Sequence, residues 1–146
     1  MLSNSCRYGI RAVIYIASHS PEKGMIGIKQ ISRDLELPTP FLAKILQQLT
    51  KQKFLISSKG PHGGFSLLSD PALISLFDIV VAIDGEELFT NCIIHDGTCK
   101  SVESDKKDCP VHDDFAKYRS GLIDLFKSKT ISDLVSKANS SEKISI

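Results

Sequence analysis

No apolar run in this 146-residue sequence approaches the roughly 20 residues that a membrane-spanning helix needs. The first ten residues, MLSNSCRYGI, lack the long apolar stretch behind a basic start that marks a secretory signal. Both absences point to a cytoplasmic protein with no membrane partner, in a compartment where thiols stay reduced. No internal repeat is visible. No Ser/His/Asp pattern or carboxylate pair sits in an evident pocket, so an enzyme, of redox type if any, is a remote alternative. The four cysteines contain no tight C-x2-C knuckle. The length allows one domain with a real core and one or two further helices, not two enzyme-sized domains. Apolar (42%) and charged (24%) contents are ordinary for a globular chain, so composition alone assigns no function.

Net charge is also scarce, at +1, but its distribution is uneven. Residues 1–69 hold nine Lys/Arg against three acids, or +6; residues 70–146 hold nine against fourteen, or −5. A basic N-terminal half suits a polyanionic partner, although solvated surface charge would look the same.

The basic half reads as helices. Tyr8, Ala12, Val13, Ile16 and Ala17 recur at helical spacing over 5–18, with Ser3, Asn4 or Ser5 available as cap. Ile28, Ile31 and Leu35 give a short second helix over 28–35. After the break Glu36-Leu37-Pro38, Thr39 offers an N-cap hydroxyl and Pro40 sits where its missing N–H costs nothing. Phe41, Leu42, Ile45, Leu46 and Leu49 form the buried stripe of a third helix, and Lys44, Gln47, Gln48 and Lys51 face away from it. This is helix-turn-helix organisation, and Lys and Gln can hydrogen-bond base edges or phosphates in a major groove.

A β-prone segment, 53–58, follows. The turn Lys59-Gly60-Pro61-His62-Gly63-Gly64 then leads into a return strand, Phe65-Ser66-Leu67. A hairpin in this place is a wing, whose tip residues Lys59 and His62 could reach phosphates or a minor groove. Ser75 and Asp78 form a capping box for a helix over about 75–84, which Gly85 can end. Residues 86–109 show no sustained periodicity. Pro110 opens a long helix over 110–128 with Asp113 and Asp114 in its first turn. Its apolar residues Phe115, Tyr118, Leu122, Leu125 and Phe126 fit either a pairing helix for a second subunit or packing on the chain's own core. Thr130 and Asp133 resemble a second capping box before a short last helix, with a frayed tail from Asn139. The expected fold is mainly α with a small β-hairpin: a winged helix-turn-helix (1–70), a connecting helix (71–85), a cysteine-rich loop (86–109), a dimerisation helix with a short last helix (110–137), and a tail (138–146).

Cys92, Cys99, Cys109 and His112 form C-x6-C-x9-C-P-V-H in polar surroundings. Structural cysteines are usually buried among apolar neighbours, whereas this set suits a soft metal. Cys109 and His112 lie three apart at a helix start, where backbone N–H groups favour thiolate. Zinc and an iron–sulfur cluster both take such ligands, and a thiol redox switch or incidental cysteines remain alternatives. Cys6 stands apart, either a small helix-surface residue or an alternative fourth ligand.

Together these segments resemble the IscR/NsrR/CymR (Rrf) group of bacterial regulators over about residues 1–135. The likeness rests on Lys59-Gly60-Pro61-His62-Gly63-Gly64-Phe65 with Leu67-Leu68, and on Arg7-Tyr8, Ile31-Ser32, Phe41-Leu42, Ile74-Ser75-Leu76 and Asp78-Ile79. It implies a homodimer joined by the long helix and bound to a double-stranded DNA operator of two-fold character, with RNA polymerase as a candidate partner. It also implies a cluster, [2Fe–2S] favoured over [4Fe–4S], on Cys92, Cys99 and Cys109, with His112 completing the set as in the IscR-like branch. The gap between Cys99 and Cys109 is longer than the family's usual spacing. On this reading Thr39, Pro40, Lys44, Gln47, Gln48, Lys51, Lys59 and His62 contact DNA.

Overall fold

Helix α1 (Asn4–His19) is the centre of the structure, a computed structural model that describes residues 1–19, 24–98 and 109–140. Ser3 starts α1 by accepting the Cys6 N–H at 3.0 Å, satisfying a donor the helix cannot. Ala12, Val13, Tyr15, Ile16 and Ala17 are all buried, because α1 is covered by α2, α3, α4, α7 and the wing. Over residues 12–17 every position is buried, and that stretch is accordingly apolar on all sides.

Helices α2 (Ile28–Asp34) and α3 (Thr39–Lys51) follow as the helix-turn-helix. Between them Glu36 takes a left-handed conformation (φ 54°), uncommon for a residue with a side chain. Buried Leu35 and Leu37 flank it and hold the turn inward. The Ser32 hydroxyl donates to the Leu37 carbonyl, and its oxygen lies 2.7 Å from the Thr39 hydroxyl. Thr39 is therefore not the N-cap. Pro38 holds that place with no side-chain cap, and Thr39 and Pro40 open the helix. The expected stripe holds at Leu42, Ile45, Leu46 and Leu49, but Phe41 is 40% exposed and packs edge-on against Tyr8, 5.7 Å between ring centres. It sits in the first turn of α3, beyond the cover of the core.

Strands β1 (Leu55–Ser58) and β2 (Gly64–Leu67) pair antiparallel, from Leu55 opposite Leu67 to Ser58 opposite Gly64. Ile26 adds a bridge to Phe65 through two backbone hydrogen bonds of 2.9 Å. Gly64 (φ 148°) permits this close approach, since a Cβ there would lie 2.2 Å from the Ile26 carbonyl oxygen. Gly64→Ala is expected to push the wing off residue 26 and cost about 1–3 kcal/mol of stability, as forced overpacking does. A thermal melt unchanged from the native chain would contradict the bridge.

The Ser75–Asp78 capping box is present at the start of α4 (Leu76–Asp84), and Gly85 (φ 80°) follows its end. A four-residue helix, α5 (Glu87–Thr90), comes next, too short to show a period in sequence. The long helix, α6, spans His112–Ser128, two residues later than Pro110 suggests. Thr130 and Asp133 exchange hydrogen bonds of 3.0 and 3.2 Å and start α7 (Ile131–Ser140). That helix is longer than expected, because Ile131, Leu134 and Val135 pack on the main core and carry it through Asn139. Backbone bonds from Leu76 to Lys129 and from Ile131 to Ile74 tie the starts of α4 and α7 together.

The apolar residues of α6 divide. Leu122 and Phe126 pack with Val80 and Phe89 in a second cluster, whereas Tyr118 (78%) and Leu125 (50%), one heptad apart, are exposed. No helix among the described residues is long and apolar enough to cross a membrane.

Candidate nucleic-acid interface and cysteine centre

Burial of the α3 stripe turns Pro40, Lys44, Gln47, Gln48 and Lys51 outward together, and all are exposed. Two of the sequence candidates already have partners. The Gln48 Nε2 donates to the Ala82 carbonyl at 2.9 Å and to that of Ile83 at 3.4 Å, which satisfies acceptors at the end of α4. Thr39 is half-buried, with its hydroxyl on Ser32. Lys59 and His62 are exposed in the wing turn. Arg33 and Lys29 of α2 are exposed as well, and the sequence reading passed over them because a seven-residue helix with one apolar stripe drew attention only to its core face.

Cys92 follows α5 in a tight loop closed by the Asn91–Thr98 bridge and a 3.0 Å bond from the Cys92 N–H to the Gly97 carbonyl. Gly97 takes φ 94° at its turn, open to glycine without strain. The loop folds two backbone N–H groups onto sulfur: those of Ile94 (3.5 Å) and His95 (3.4 Å) donate to the Cys92 Sγ. Such donors stabilise a thiolate.

The Cys109 Sγ lies 3.7 Å from the Cys92 Sγ, so the two sulfurs are not bonded to each other. A disulfide would hold them at about 2.05 Å. Two thiolates on one tetrahedral ion at about 2.3 Å each would stand roughly 3.8 Å apart, close to what is seen. Cys109 is only 6% exposed and lies just before α6. The His112 N–H donates to the Cys109 carbonyl at 2.9 Å, which fixes His112 one turn beyond. Its Nδ1 is buried without a hydrogen-bond partner, an arrangement that costs free energy unless something is bound there. Cys99 lies outside the described residues, and among those described no three His, Cys, Asp or Glu side chains gather in a way that could hold a metal ion. The donor types suit a soft metal or cluster: two facing thiols and, not gathered with them among the described residues, an orphaned imidazole nitrogen.

Arg119 escaped the sequence reading because a lone arginine on a long helix gives no local signal. Its guanidinium donates to the Asn91 carbonyl at 2.6 Å and lies 4.7 Å from the Phe115 ring centre, clamping the Cys92 loop to α6.

Cys6 is not a surface residue. It is fully buried with Val80 and Phe89, and its thiol is pushed up to about 12, first by burial and then by the Asp84 carboxylate. Asp84 also accepts the Ser3 N–H at 2.8 Å and the Ser3 hydroxyl, joining the end of α4 to the start of α1. A neutral, enclosed thiol suits packing better than ligation.

Residues 2–137 match the family Rrf2, described as an iron-dependent transcriptional regulator. An HTH-type transcriptional regulator of Aquifex aeolicus (strain VF5) is 31% identical over 135 residues, 92% of this chain and 91% of that one. The HTH-type transcriptional regulator IscR of Vibrio vulnificus is 26% identical over 92% of this chain and 77% of its own length. Among solved structures, CymR, the global cysteine regulator of B. subtilis, superposes with a TM-score of 0.77 at 23% identity, covering 94% of this chain and 97% of CymR. T. potens IscR gives 0.74 at 23% identity, covering 100% and 93%. The fold is thus the winged helix-turn-helix of these regulators, and the relatives regulate transcription rather than catalyse reactions. This chain belongs to the Rrf2 family of transcriptional regulators.

Proposed function

We propose that the protein binds an operator duplex as a homodimer, and that an iron–sulfur cluster on Cys92, Cys99, Cys109 and His112 sets its affinity. The observation that carries this reading is the 3.7 Å approach of the Cys92 and Cys109 sulfurs, with the buried His112 Nδ1 left without a hydrogen-bond partner as a further donor of the right type. Pro40, Lys44, Gln47, Lys51, Lys59 and His62 supply the DNA contacts, some to bases and some to phosphates. Gln48 and Thr39 act mainly by holding α3 against α4 and α2. Cys6 stays in the core.

The family description as iron-dependent and the IscR relatives favour a cluster, and [2Fe–2S] suits a three-cysteine, one-histidine set. When bound, the cluster supplies a centre that responds to redox state, nitric oxide or iron supply. The chain's own part is to present thiolates from the Cys92 loop and the α6 start, and to fix both through Arg119. A second reading rests on the same pair. With zinc or no metal, Cys92 and Cys109 already face each other and can act as a thiol switch, and CymR shares the fold. The visible spectrum of anaerobically isolated protein, with iron and sulfide analysis, decides between them. A coloured protein with about equal iron and acid-labile sulfide supports the cluster, and a colourless one containing zinc or no metal rejects it.

The dimer is assigned to α6, where Tyr118 and Leu125 share an exposed face. Leu125→Glu would place a charge in that seam. Sedimentation is expected to show a monomer for this variant and a dimer for the native chain; a dimer for both would move the interface elsewhere.

A further inference from the structure

We propose that the groove between α2 and the wing turn seats the sugar–phosphate backbone of the duplex, with Lys29 and Arg33 as its phosphate contacts. The inference rests on the DNA-binding reading above and adds a second contact line to the α3 face.

The groove has a volume of about 790 Å³ and is lined by Lys29, Gln30, Arg33 and Asp34 of α2 and by His62 and Gly63 of the wing. A second groove, of about 340 Å³, runs along the wing and shares Lys29 and Gly63. Lys29 therefore stands where the two meet. Lys29 and Arg33 are four residues apart on a helix, so they project from one face. Both are exposed, and neither is held in an ion pair among the described residues.

The acid in the groove is committed elsewhere. Asp34 accepts the Tyr15 hydroxyl, whose oxygen also receives the Gln30 amide at 3.4 Å. With His62 neutral, the lining carries a formal +1, from Lys29, Arg33 and Asp34. Free cations on a broad rim suit an extended polyanion laid across them. A small anion would need enclosing donors, and here both cations point into solvent.

Sequence explains why the groove exists. A Cβ on Gly63 would lie 2.2 Å from the Ser58 carbonyl oxygen, and one on Gly64 equally close to that of Ile26. Glycine at these two positions leaves room for the wing turn to close on Ser58 and for β2 to lie against Ile26, just before α2. The wing thus does more than present Lys59 and His62: it forms one wall of a basic channel.

The test measures binding against salt concentration on two duplexes of equal length, one selected by the protein from a random pool and one scrambled. Each phosphate contact contributes about 0.9 to the slope of log K against log salt. In a homodimer each substitution removes one contact per protomer, so Lys29→Ala and Arg33→Ala are each expected to lower that slope by about 1.8 and to weaken both duplexes by the same factor. Arg33→Lys, which keeps the charge, retains the slope, and Lys137→Ala in α7 matches the native chain. An unchanged slope in the alanine variants, or a loss confined to the selected duplex, would overturn the proposal. Failure of the native chain to prefer the selected duplex would instead count against the operator-binding reading itself.

Discussion

Cys109→Ser is expected to strip anaerobically isolated protein of its visible absorption and to reduce bound iron and sulfide to background. Cys109 is one of two thiols 3.7 Å apart, and it lies buried just before α6. A serine hydroxyl remains protonated near neutral pH and is a poor soft-metal ligand. The reading head should survive the change. Its core, Ile16, Ile31, Leu42, Leu46, Leu49 and Leu55, lies in a separate cluster from Val80 and Phe89. Helix content and melting temperature therefore check that the loss is local. Full iron and sulfide in a folded Cys109→Ser protein would remove Cys109 from the site.

The second large effect concerns α3. Lys44→Ala and Gln47→Ala are each expected to weaken operator binding by about 1–3 kcal/mol per half-site, the usual worth of a good base contact. The loss should depend on the base pair facing the residue. Gln48→Ala should behave differently although Gln48 is equally exposed. Its amide already serves the Ala82 and Ile83 carbonyls, so its loss costs about 0.5–1.5 kcal/mol of stability and leaves base preference intact. Titration of operators changed one base pair at a time separates the two behaviours. Equal, sequence-independent losses at Lys44 and Gln47 would reduce both to phosphate contacts.

Much of the fold was legible in the sequence, for physical reasons visible at particular residues. Leu42, Ile45, Leu46 and Leu49 repeat at helical spacing, and Ser75 and Asp78 sit three apart before an apolar run. Both signals are local, and local signals survive folding. The Thr39 cap was misplaced because Ser32, seven residues back, competes for its hydroxyl. The stripe of α6 was ambiguous because its apolar residues divide between two fates: Phe126 meets Phe89 at 5.5 Å, while Tyr118 is 78% exposed. At the cysteine centre, residue types alone suggested ligands. The N–H donors to Cys92, the Arg119 clamp and the enclosed Cys6–Asp84 pair are tertiary contacts that no spacing rule reports.

The regulator account depends on a link between sulfur chemistry and DNA. Operator affinity of anaerobically isolated protein, measured at fixed salt before and after removal of its cluster, examines that link directly. A change of roughly 5- to 150-fold, equivalent to about 1–3 kcal/mol of coupling, is the predicted result. Identical affinities with and without the cluster would contradict it.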